Sequence, residues 1–231
     1  MKVLLVSDKD AEKSAACMFV GVGSLADPID PLSSEGKKLD GMAHFCEHML
    51  FLGTKKYPEE NHYQNFVQQN GGDSNAATGE EYTYFYYDIN SDKFEESLDI
   101  FSQFFKEPLF TEGAAEREMN AIESEYQMNI SEETIATDQL EKSHIAAPGS
   151  IINRFLIGNL ETLKKPNIHE ELKKYYNQNY SSNRMSLVLV GSQSIEELTK
   201  LAEDNFEGVE NKNLPENDYS KEVVFTKEHS F

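Results

Sequence analysis

Between Gly41 and Gly53 the chain is almost entirely apolar, yet three polar groups, His44, Glu47 and His48, sit inside that run. Burying two imidazoles and a carboxylate without partners costs several kcal/mol, so the fold has to supply partners for them. A helix brings the three groups together. His44 and His48 are then one turn apart on the same face, with Glu47 beside His48. Phe45, Met49, Leu50, Phe51 and Leu52 give the run its core-facing character. Zinc is the economical partner for such a set, because it takes nitrogen and oxygen donors and leaves room for a water that a neighbouring carboxylate can reach.

The order His-x-x-Glu-His is the reverse of the commoner zinc-peptidase helix and is the inverzincin signature. A catalytic zinc usually has three protein ligands, so a distant residue has to complete the set. The segment from Glu112 to Asn129 offers Glu118 and Glu125, seven residues apart and so on one face of a helix. One could ligate and the other support, although carboxylates so spaced are also the ordinary solvated side of an acidic helix. Cys46, at the second position after His44, points away from the ligand face and reads as a packing residue.

The patterning along the chain mixes helices and strands. Residues 2–7 and 15–23 read as strands, followed by a polar loop over 27–40 and then the histidine helix. A helix is expected from Pro58 to about Asn70, stopped by Gly71 and Gly72. Residues 82–89 alternate as a strand, with 74–78 extended before it. Phe94, Leu98, Phe101 and Phe105 fall at helical spacing, so 92–106 is expected to be an amphipathic helix packed on the sheet. Residues 112–144 read as helix-rich, 168–179 as a helix, 185–190 as an apolar strand and 195–206 as a further helix. The expected fold is α+β: a largely antiparallel sheet with layered helices.

Composition narrows the function classes. Forty-one acidic residues against 21 basic ones give a net charge of -20, which argues against nucleic-acid or anionic-membrane partners. Fourteen Phe and 11 Tyr can build a substantial core over 231 residues. Two cysteines, Cys17 and Cys46, imply no disulfide framework. No apolar run is long enough to span a bilayer, and Met1 to Val6 is too short for a signal sequence, so a cytoplasmic location is the expectation.

The run from His44 to Pro58 resembles the pitrilysin/insulinase family of zinc metallopeptidases. The likeness extends through Gly21 to Pro28, Ser74 to Thr78, Phe104 to Phe110, Arg117 to Glu125 and Asn179 to Met185, in the family's order. The resemblance implies a metallohydrolase domain of processing-peptidase type, with His44, His48 and Glu125 as zinc ligands. It further implies Glu47 as general base and Glu118 as the carboxylate that orients a ligand histidine. Extended peptide substrates would lie along a strand edge at Asn75 and Ala76. Ala77 and Ile135 stand where the family usually has aromatic residues, which implies a wider pocket after the scissile bond. It also implies a zinc-binding peptidase domain over 1–210, the first of about four related domains closing into a chamber. Residues 211–231 would be a polar linker toward a missing second domain. A C-terminal half of the same polypeptide, or a dimer mate, would complete the chamber. Alternatives are a non-catalytic peptide-binding or structural module and a different hydrolase with the same motif, of S-ribosylhomocysteinase type.

Overall fold

A computed structural model describes residues 1–133, 137, 140, 142, 144, 146, 147, 150–153 and 155–221. Ile135 lies outside them. Among the described residues five strands form one sheet: β1 (Lys2–Ser7), β2 (Lys13–Val20), β3 (Asp73–Thr78), β4 (Thr83–Asn90) and β5 (Met185–Gly191), in the order β1-β5-β2-β4-β3. β1 runs parallel to β5, and the other pairings are antiparallel. The expected α+β fold with a largely antiparallel sheet is therefore the observed one.

Alternation along the strands decides which face carries the core. Met18 and Val20 of β2, Phe85, Tyr87 and Ile89 of β4, and Leu187 and Leu189 of β5 are buried together. The helices lie on this face: α1 (Met42–Leu50), α2 (His62–Gln69), α3 (Phe94–Ser102), α4 (Glu112–Asn129), α5 (Ile168–Asn179) and α6 (Ile195–Phe206). The expected repeat in α3 is realised, with Phe94, Leu98 and Phe101 buried and Phe105 following in a 3-10 turn. Ring contacts among Phe101, Phe104, Phe105 and Phe85 tie that helix to the sheet at centroid separations of 5.3–6.5 Å. Among the described residues no helix is long and apolar enough to cross a membrane.

Two boundaries differ from the sequence expectation. β2 begins at Lys13 and ends at Val20 rather than spanning 15–23, because Lys13 pairs with Asn90 and the ladder to β4 ends at Val20 opposite Thr83. α2 starts at His62, not Pro58. Pro58 follows a turn in which the Thr54 amide donates to the Tyr57 carbonyl at 2.9 Å, with Thr54 bridged to Pro108, and the chain turns again, the His62 amide donating to the Glu59 carbonyl at 3.1 Å, before the helix begins.

Candidate metal centre

Gly41 precedes α1 at its N-cap, in the left-handed region at φ 89°, where a side chain would overlap Gly158. Gly41 has no capping side chain of its own. Asp27 supplies the cap instead, its two carboxylate oxygens accepting the amides of Gly41 and Ala43 at 2.8 Å each. Packing between α4, α5 and β3 then buries nearly all of α1, including His44 and Glu47 at 7% exposure. Cys46 is fully buried and 0% exposed, in the packing position its spacing predicts.

Three of the polar groups in α1 meet partners from distant parts of the chain. The Nε2 atoms of His44 and His48 face each other at 3.1 Å. Glu125 Oε2, from α4, lies 3.5 Å from His44 Nε2 and 3.6 Å from His48 Nε2. The outer nitrogens are also held, His44 Nδ1 by the Ile157 carbonyl at 2.8 Å and His48 Nδ1 by Glu118 Oε2 at 3.0 Å. Glu47 accepts a hydrogen bond from the Thr78 hydroxyl at 2.5 Å, at the end of β3. Thus the structure brings His44, Glu47, His48, Glu118 and Glu125 into one cluster. Asn75, Ala76 and Ala77 lie on β3, an edge strand paired only with β4 among the described residues, and Asn75 Oδ1 accepts the Ala76 amide at 2.8 Å.

The donor set can be tested against a tetrahedral ion. Ligand atoms about 2.0–2.1 Å from a tetrahedral centre stand about 3.3–3.4 Å from one another. The three separations here, 3.1, 3.5 and 3.6 Å, bracket that value with little rearrangement. Both Nδ1 atoms have acceptors, so each Nε2 can present its lone pair to a cation. His44, His48 and Glu125 therefore fit zinc. His44, Glu47 and His48 also form a compact group whose candidate ligand atoms all lie within 4.8 Å of one another.

The charges of the metal-free cluster follow from its setting. Burial, reinforced by the neighbouring His48, pushes His44 below its ordinary value. Burial opposes charge on His48 as well, but its hydrogen bonds to Glu118 and Glu125 outweigh that and hold it up at about 9. Burial raises Glu47, and the Thr78 hydroxyl partly offsets the rise. The hydrogen bond with His48 holds Glu125 below the usual carboxylate range despite burial.

A measurable pH dependence follows. The folded pKa of His48 lies above its reference value of 6.5, so its contribution to the stability of the zinc-free chain is fully present below pH 6.5 and lost as pH rises through about 9. The loss is expected to be on the order of a few kcal/mol. Urea unfolding of the zinc-free chain at several pH values should show it, and His48→Gln should flatten that part of the profile. Parallel profiles for the two proteins across this window would contradict the assignment.

Sequence reading found the five polar residues but missed Asp27, Thr78 and the Ile157 carbonyl. Asp27 precedes Pro28 in what reads as a loop, Thr78 ends an extended segment, and a backbone carbonyl leaves no mark in a sequence.

Comparison with known proteins places this geometry in context. The Insulinase (Peptidase family M16) pattern matches residues 2–149, and the Peptidase M16 inactive domain pattern matches residues 167–230. Insulin-degrading enzyme of Bos taurus is 42% identical over 235 residues, covering 99% of this chain and 22% of that protein. Insulin-degrading enzyme-like 1, peroxisomal, of Arabidopsis thaliana is 40% identical, covering 92% of this chain and 22% of that protein. The crystal structure of pitrilysin superposes with a TM-score of 0.88 at 34% identity, covering 96% of this chain and 23% of that one. The chain thus spans about a fifth of the length of the relatives it matches.

Proposed function

The chain belongs to the Insulinase family of peptidases, M16, and from that premise we propose that it is the zinc-binding domain of an endopeptidase that cuts short to medium peptides inside a chamber. The observation that carries this reading is the convergence of His44 Nε2, His48 Nε2 and Glu125 Oε2 at separations suited to one tetrahedral ion. When bound, zinc supplies Lewis-acid polarisation of a peptide carbonyl and an acidified water. Glu47 takes the proton from the attacking water and hands it to the departing amine. Glu118 fixes the His48 ring through Nδ1.

The substrate reading rests on β3. Its outer edge can accept an extended peptide as a further strand, with affinity from backbone hydrogen bonds and little sequence preference. Asn75 and Ala76 lie on this edge, and Thr78 at its end touches Glu47, so one strand both aligns a peptide and orients the base. Thr78→Val should lower kcat about tenfold or more with KM little changed, because the carboxylate loses the Thr78 donor, and Thr78→Ser should restore most of it. Equal activity for the Val and Ser variants would remove Thr78 from the mechanism. Ala77→Phe should narrow the pocket and sharpen the choice of residue after the cut, as read by mass spectrometry of peptide digests. An unchanged set of cleavage sites would refute that role.

The span of the chain favours a second reading for the isolated polypeptide. With about a fifth of the relatives' length, it would bind zinc and peptide yet cleave weakly or not at all until a C-terminal half or dimer mate closes the chamber. Residues 1–210 form the zinc-binding unit in this proposal, and 211–231 lead toward the next domain, with a cytoplasmic location. Zinc analysis coupled to a fluorogenic peptide assay, with and without the remaining polypeptide, tests both readings. Bound zinc with activity only after complementation is the expected result, and a chain that binds no zinc would exclude the peptidase reading.

A further inference from the structure

α4 carries a third carboxylate between Glu118 and Glu125. Glu123 Oε2 accepts the amide of Leu160 at 2.8 Å, while Oε1 takes a hydrogen bond from Gln127, also at 2.8 Å. Leu160 opens the short helical turn Leu160–Leu163, which Asn159 and Thr162 cap reciprocally. Immediately before that turn, Gly158 adopts φ 77° against Gly41, where an added side chain would come within 2.9 Å of the Gly41 Cα. Ile157 precedes Gly158, and its carbonyl accepts His44 Nδ1–H at 2.8 Å. Only Gly158 and Asn159 separate the carbonyl that holds His44 from the amide that Glu123 holds.

We infer that Glu123 is a positioning residue for His44, latching the 157–160 segment onto α4 so that the Ile157 carbonyl stays on Nδ1. The inference rests on the proposed role of His44 as a zinc ligand. It makes α4 the organiser of the whole cluster: Glu118 orients His48 directly, Glu123 orients His44 through the loop, and Glu125 completes the donor set. Neither histidine then depends on α1 alone for its ring orientation.

The reciprocal cap and the glycine contact already stiffen the segment, so the contribution of Glu123 is graded. Removing an outer partner of a metal ligand typically weakens binding 10–100-fold, and an indirect partner belongs at the lower end. Glu123→Ala in the 231-residue chain should weaken zinc binding about tenfold in a chelator competition. Glu123→Gln keeps an acceptor oxygen and should bind zinc nearly as well as the parent. Leu160→Pro removes the amide at a position where proline suits a helical first turn. It should reproduce the loss, and adding Glu123→Ala to it should cost nothing more.

A second readout needs no metal. In 15N-histidine spectra of the zinc-free chain, the His44 Nδ1–H signal should weaken in Glu123→Ala while that of His48 persists. Parental zinc affinity in Glu123→Ala, additive losses in the double variant, or equal disturbance of both histidines would overturn the inference. A parent chain that fails to bind zinc would overturn the ligand reading instead, and the His44 signal would still decide whether the latch exists.

Discussion

Glu47→Gln in the complete protein should reduce kcat for peptide hydrolysis by about 10²–10⁴-fold while zinc content and KM stay close to the parent values. The substitution is nearly isosteric, and its amide oxygen can still accept from Thr78, so the packing of α1 between α4, α5 and β3 is preserved. What it removes is a basic oxygen beside the proposed zinc ligands. A carboxylate at 7% exposure would ordinarily be a liability, since burial favours its neutral form. The Thr78 hydroxyl, donating to Oε2, counters that tendency. Activity within tenfold of the parent would show that another group carries the proton.

Loss of a proposed ligand is the other large effect. Apparent binding free energies of structural zinc sites are about 10–16 kcal/mol, or about 2.5–4 kcal/mol for each of four ligands, so Glu125→Ala should weaken zinc binding by about 10²–10³-fold. His44→Ala and His48→Ala should do the same. Glu118→Ala should cost less, about 10–100-fold, because it removes a partner of His48 and not a ligand. The thermal stabilisation that added zinc confers on the parent, about 2.7 kcal/mol at a concentration one hundred times Kd, should be absent from the ligand variants at the same concentration. A greater loss for Glu118→Ala than for Glu125→Ala would exchange the two assignments.

That distinction marks how far the sequence alone was legible. Spacing placed Glu118 and Glu125 on one helix face, but only the docking of α4 against α1 sets Glu118 on Nδ1 of His48 and Glu125 near both Nε2 atoms. His44, Glu47 and His48 were readable because the motif is local and its apolar setting requires partners. α3 and α6 were readable from strong amphipathic repeats over short distances. The supporting contacts were not, since they join residues far apart in the chain: Asp27 to the start of α1, Thr78 to Glu47, Ile157 to His44. The late start of α2 has the same origin. Pro58 is a sound helix opener by local preference, yet it follows the Thr54 to Tyr57 turn, bridged to Pro108 from another segment, and a further turn from Glu59 to His62 comes before the helix.

X-ray absorption at the zinc edge of the zinc-loaded chain tests the central claim most directly. One zinc per chain is predicted, with two imidazole nitrogens and a carboxylate oxygen at about 2.0–2.1 Å and a further light-atom ligand, the imidazole signal falling in His44→Ala and the oxygen shell changing in Glu125→Ala. Substoichiometric zinc, a sulfur ligand from Cys46, or a shell unaffected by Glu125→Ala would contradict it.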